Sequence, residues 1–170
     1  ITGWRIPTHS AINGIADSGN DFSHIGTADQ GYNISAPGTL YAGSTASELA
    51  YMYYNTLGNK GYCDPSTSTV SSCSGPQAGW YPGTLSPDFN IGPFTFAHYV
   101  GVIWDSAPGT VGSSMYLFDL TYGSQYHINS TSGFGVVWAV HDGDVGVAVS
   151  TSTVPVPAAV WLFGSGLLGL

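Results

Sequence analysis

Apolar positions in this chain form three kinds of run: short β-like clusters, one stretch at helical spacing, and a continuous apolar end. Gly3-Trp4-Arg5-Ile6-Pro7-Thr8 predicts a short strand that stops at Pro7, which cannot donate to a ladder. Residues 9–43 predict loops, with turn signals at Asn13-Gly14, Ser18-Gly19-Asn20, Gly31 and Pro37-Gly38. Ile15, Phe22, Ile25, Tyr32 and Ile34 are the apolar points that pin these loops to a core. Thr45-Ala46-Ser47-Glu48 reads as a capping box, with Thr45 as the cap and Glu48 returning to it. Ala46, Leu49, Ala50, Tyr53 and Leu57 then share one helical face, with Tyr51 and Tyr54 half exposed beside it. Gly58-Asn59 supplies the stop, so a helix is predicted over 46–57.

The second half reads as β-structure. Strands are predicted at 94–104, 114–122, 125–129 after a turn at Gly123-Ser124, 135–140 and 145–149. Trp80-Tyr81-Pro82-Gly83 predicts an aromatic surface loop. One helix followed by a β-rich half predicts an α+β fold: a single compact domain, with that helix against a mainly antiparallel sheet and long loops. The chain divides into a globular part, 1–149, a Ser/Thr linker, 150–153, and an apolar tail, 154–170.

The tail has no charge and few polar groups. From Ala158 to Leu170 a helix would run roughly 20 Å, against a hydrocarbon core of about 30 Å, which is short for a membrane span. Val154-Pro155-Val156-Pro157, followed by Ala158, Val160, Trp161, Leu162, Phe163, Leu167, Leu168 and Leu170, resembles the PEP-CTERM sorting signal of Gram-negative bacteria. Val156 stands where that signal has Glu, and no basic cluster follows. The resemblance implies export, processing by an exosortase, and a place outside the cell or on its outer surface. An apolar core segment is the competing reading of the tail. The chain opens without Met or a leader, as expected of an exported protein whose first segment is removed or not included.

Charge narrows the partners. Arg5 and Lys60 are the two basic residues against ten acidic ones, a net charge of −8. That balance repels phosphate backbones and excludes nucleic acid. With 7% charged residues, solubility rests on Ser, Thr, Asn, Gly and Tyr. Cys63 and Cys73 flank a polar loop with no His or second Cys pair, which argues against zinc. In an exported protein the pair is expected to form a disulfide, two free thiols being the alternative.

Trp4-Arg5-Ile6-Pro7-Thr8 also resembles the Trp-Arg-Leu-Pro-Thr motif of the DUF1566 family, or Lcl C-terminal domain family. The stretch from Glu48 to Asn59 is similar to the helix that follows it there. Gly92-Pro93-Phe94, Tyr99, Trp138-Ala139-Val140 and Gly143-Asp144-Val145 match later landmarks, so the resemblance covers 3–145. It implies a compact domain related to C-type-lectin-like and formylglycine-generating-enzyme folds, some members of which bind surface glycans. Two features depart from the pattern. The strand that precedes Trp4 in the family is missing, and Tyr99-Val100-Gly101-Val102-Ile103-Trp104 replaces its Tyr-Trp-Ser motif.

Catalytic signatures are scarce. Five histidines, His9, His24, His98, His127 and His141, are scattered singly, with no metalloprotease or nucleophile-elbow pattern. The expectation is a non-enzymatic protein without cofactor. Asp17, Asn20 and Asp21 offer close-spaced oxygens for calcium, but a solvated turn accounts for them better. Trp80, Tyr81, Trp104 and Asp105 are candidates for glycan contact, and Asn33-Ile34-Ser35 and Asn129-Ser130-Thr131 fit the N-glycan acceptor pattern. The expected function is an extracellular structural protein that self-associates into a filament through its tail or an open sheet edge; the alternative is a surface-displayed exopolysaccharide-binding module.

Overall fold

A computed structural model of the chain describes residues 4–14, 21–80, 102–105, 115–128 and 136–141, with backbone alone at 102–105, 115, 128 and 136–137. The tail, the 150–153 linker, the predicted strand 145–149, most of the predicted strand 94–104, Tyr81, Asp17, Asn20 and Asn129 lie outside these residues.

The elements run β1 (Trp4–Arg5), β2 (Phe22–Ser23), β3 (Gln30–Tyr32), α1 (Glu48–Tyr51) continued by a π-helix (Met52–Thr56), then β4 (Val102–Asp105), β5 (Met115–Asp119), β6 (Ser124–Ile128), β7 (Val136–Val137) and β8 (Val140–His141). The fold is a small α+β arrangement. Six strands pair in the order β2-β3-β6-β5-β4-β7, with β2–β3 and β4–β7 parallel and the other pairs antiparallel. β1 pairs with β8 in a separate antiparallel ribbon.

The helix appears where periodicity puts it, but its start differs. Ser47, not Thr45, is the N-cap: it is extended, at φ −114° and ψ 112°, and its hydroxyl accepts from the Ala50 N–H at 3.2 Å. Glu48 does not turn back to the cap, because its carboxylate is taken by Arg5 and by the Thr8 N–H. After one α-turn the ladder widens. The Leu57 N–H bonds the Met52 carbonyl at 2.9 Å, five residues back. The wider turn brings neighbouring Tyr53 and Tyr54 inside together, so Tyr54 is buried rather than half exposed. Gly58, at φ +69°, ends the helix, and the Asn59 N–H closes on the Tyr53 carbonyl at 3.0 Å.

The core lies between this helix and one face of the sheet. β5 alternates: Tyr116, Phe118 and Leu120 are buried, while Leu117 and Asp119 are half-buried on the other face. Phe118 packs on Tyr53 and Tyr54, and Leu49, Ala50, Ile34, Ile12 and Trp138 complete the cluster. The predicted strand 135–140 is two strands in two sheets, broken where Trp138 turns into the core. Gly31 lets β2 and β3 meet. A Cβ there would lie 1.9 Å from the Ser23 carbonyl oxygen, and its φ is +114°.

A polar knot ties the sheet to the helix start. Gln125 is fully buried and accepts from the Ser47 hydroxyl at 2.6 Å. Its amide donates to the Asp29 carbonyl at 2.8 Å and lies 3.0 Å from His9 Nδ1. Asp29 in turn accepts from the Ile12 N–H at 2.6 Å. Buried polar groups persist when paired in this way.

Candidate functional site

Opposite the helix, the outer face of the sheet carries aromatic rings. Residues that face each other across an antiparallel ladder share a face. Tyr32 pairs with Ser124, and Tyr126 with Leu117. Phe22, on the edge strand β2, is 36% exposed and packs edge-on to Tyr32 at 6.1 Å and obliquely to Tyr126 at 6.2 Å. The His24 ring stacks on Tyr32 at 5.4 Å, and its Nδ1 lies 2.9 Å from the Val70 carbonyl of the disulfide loop. Burial pushes the Tyr32 phenol well above its ordinary pKa, aided by its hydrogen bond with Tyr126, so it stays neutral at physiological pH.

A second group of rings lies at the β5–β6 turn. Trp80 and Tyr122 stack at 6.0 Å with planes 15° apart, and Tyr62 meets both edge-on, at 4.9 and 5.8 Å. Hydrogen bonds to and within the backbone hold the group in place. The Trp80 indole N–H donates to the Thr121 carbonyl at 3.0 Å. The Tyr62 N–H donates to the Tyr122 carbonyl at 2.8 Å, and the Gln77 N–H to the Tyr62 carbonyl at 3.0 Å. Asp119 Oδ1 accepts from the Thr121 N–H at 2.7 Å and holds the turn. Burial pushes the Asp119 carboxyl above the usual carboxylate range, and the Thr121 and Tyr122 N–H groups partly oppose this. Tyr122 remains 42% exposed.

The disulfide forms as expected: Cys63 and Cys73 are joined, with Cα atoms 5.2 Å apart. Within its loop, the Ser66 hydroxyl and N–H both donate to Asp64 and hold that carboxyl below its ordinary range.

Of the sequence-predicted contacts, Trp80 belongs to the second ring group. Trp104 takes the register position opposite Leu117, in the same cross-strand row as Tyr126, and Asp105 the position opposite Tyr116. Asp21 is half-buried, its carboxylate 3.5 Å from the Asn13 amide. Among the described residues no group of three or more His, Cys, Asp or Glu could hold a metal ion. Asn33 is no accessible glycan acceptor. It is fully buried, and its amide donates to the His24 and Cys63 carbonyls, each at 2.8 Å. Those two bonds leave Asn33 Oδ1 sealed and without a hydrogen-bond partner among the described residues, next to Gly61.

A pocket of about 200 Å³ opens nearby between Ala36, Pro37, Lys60, Pro65 and Gln77. It is smaller than the roughly 300–1,000 Å³ usual for ligand sites. Lys60 donates to the Ala78 carbonyl at 2.7 Å, and Arg5 is committed to Glu48.

Sequence reasoning missed Phe22, Tyr32, Tyr62, Tyr122 and Tyr126 as members of two ring groups. No spacing rule joins them, because the grouping depends on strand order and on the turn at Gly123. The chain matches no known family, no curated protein and no solved structure.

Proposed function

We propose that this is a non-enzymatic carbohydrate-binding domain displayed outside a Gram-negative cell, with exopolysaccharide as its ligand. The observation that carries the reading is two groups of partly exposed rings, Phe22 with Tyr32 and Tyr126 on the sheet, and Tyr122 with Trp80 and Tyr62 at the β5–β6 turn. Flat rings fixed in place lose little freedom when they bind. The C–H faces of pyranose rings stack on such surfaces. Extracellular display rests on the resemblance of 154–170 to a sorting signal and on the disulfide, a bond suited to oxidising surroundings. The DUF1566 resemblance and a C-type-lectin-like ancestry belong to the same proposal. In its support, Arg5 and Thr8 of the Trp-Arg-Ile-Pro-Thr segment bind Glu48 at the start of the helix.

The test is affinity electrophoresis in gels containing bacterial exopolysaccharides, with Trp80→Ala and Tyr122→Ala beside the parent chain. Removing a central aromatic contact is expected to weaken retardation at least tenfold, with the near-ultraviolet dichroism of the remaining rings retained. A parent chain that no polysaccharide retards, or variants retarded equally, would overturn the proposal.

A second reading is self-assembly into a surface filament. It is favoured by Trp4 and Ile6, which are 57% and 43% exposed on and beside the two-residue strand β1.

A further inference from the structure

One cation stands between the pocket and the rings of the β5–β6 turn. Lys60 lines the pocket with Ala36, Pro37, Pro65 and Gln77. Its stem also lies along Gly79, the neighbour of Trp80: a Cβ on Gly79 would sit 3.5 Å from Lys60 Cδ and 3.3 Å from Nζ. The Trp80 N–H closes the Gln77–Trp80 turn on the Gln77 carbonyl at 2.9 Å, and Lys60 Nζ braces that turn through the Ala78 carbonyl at 2.7 Å. That bond uses one of the three ammonium donors. Among the described residues Lys60 forms no ion pair. Asp64, which feels its charge, turns to the Ser66 hydroxyl and N–H. Arg5, the other basic residue, is bonded to Glu48 by both guanidinium arms. Lys60 is thus the cation open to an acidic ligand. The pocket's volume of about 200 Å³ equals the liquid volume of about seven waters, room for one sugar unit and not for a chain. A net charge of −8 opposes a polymer with an acid on every unit. A single carboxylate at contact distance is different, because its charge-assisted bond to an ammonium is roughly twice as strong as a neutral one.

We infer that the pocket takes one acidic sugar, a terminal uronate, whose carboxylate bonds Lys60 Nζ while the neutral sugars behind it run onto Trp80 and Tyr122. The inference rests on the proposed carbohydrate-binding function and adds the charge and the position of the unit that is read.

The test is calorimetric titration of the whole chain at pH 7 with two probes: a neutral β-glucan hexamer, and the same hexamer with its non-reducing end oxidised to the uronate. The oxidised hexamer is expected to bind about fivefold tighter or better. Lys60→Met should make the two bind alike, and Lys60→Arg should keep the preference. The readout is a ratio of two affinities, so a general loosening of the Gln77–Trp80 turn, which lowers both, does not imitate it. Parent affinities within about twofold of each other, or a preference that survives Lys60→Met, overturn the inference and leave carbohydrate binding in place. If neither hexamer binds, the inference also fails, and the exopolysaccharide gels decide the proposed function separately.

Discussion

Arg5 and Glu48 stand 43 residues apart in sequence and meet through two bonds of 2.5 and 2.6 Å, with the Thr8 N–H adding a third to the same carboxylate at 2.7 Å. Burial raises the Glu48 pKa, and Arg5 and the Thr8 N–H more than offset it, leaving the group below its ordinary value. The folded state therefore holds fewer protons at Glu48 than the unfolded chain as pH falls. Its contribution is complete above the unfolded pKa near 4.5 and is lost as the pH drops through the lower, folded value. Arg5→Met is expected to cost about 2 kcal/mol at pH 7. That lies below the usual range for breaking a buried pair, because the Arg5 side chain is 34% exposed and partly screened. Urea unfolding at pH 7 and in acid should show the difference shrinking as the pH falls and Glu48 takes up its proton. A difference that ignores pH would mean that lost packing, not charge, is responsible. At this scale the sequence announced a cap near Glu48 but not its identity. The Thr45 and Ser47 hydroxyls compete on equal local terms, and the decision comes from Gln125, 78 residues beyond Ser47. Asn33 reads wrongly from sequence for the same reason. It fits an acceptor pattern locally, yet its amide is spent on His24 and Cys63.

Among the elements, the helix was the most legible, since apolar spacing and Gly58 report local physics. What spacing could not report was the π-turn, which follows from tertiary demand to bury Tyr53 and Tyr54 together against Phe118. β5 was legible because it alternates, and β6 because a tight turn joins it to β5. β2, β3, β7 and β8, with two or three residues each, carry too few positions for a period. The disulfide loop gives this scale its prediction. Closing a loop of this length restrains the unfolded chain by about 2.5–3 kcal/mol on the chain-entropy account. Reduction, or Cys63→Ala with Cys73→Ala, is expected to lower the melting temperature by roughly 5–10 °C for a domain of this size. Because the Val70 carbonyl receives the His24 N–H at 3.1 Å, loosening the loop should also blunt polysaccharide binding at the Phe22 end of the face. Calorimetry with and without reductant checks the first, and affinity electrophoresis the second. An unchanged melting temperature would show that the 64–72 segment is held by its own hydrogen bonds.

At the scale of the whole molecule, few charges and many neutral polar groups make a surface whose associations are decided by aromatic and apolar contact. No described helix is long and apolar enough to cross a membrane, and the sequence places its longest apolar run at 154–170. An uncovered run of that kind is an association site. Burying about 400 Å² of it against another copy contributes on the order of 10 kcal/mol before association entropy is subtracted. The β1–β8 ribbon offers a place for it, since Trp4 and Ile6 are exposed there and short edges accept an added strand. A contact between the tail of one copy and the ribbon of the next is heterologous, and unless the rotation closes it builds a fibre. Sedimentation velocity over a hundredfold concentration range is expected to show the full chain associating. A chain lacking 157–170 should stay monomeric, keep its disulfide and match the full chain in the polysaccharide test of the proposed function. If the shortened chain assembles to the same extent, the tail is not the contact, and Trp4→Ser with Ile6→Ser then asks whether the ribbon pairs with itself. If the full chain is a monomer throughout, the tail drives no assembly.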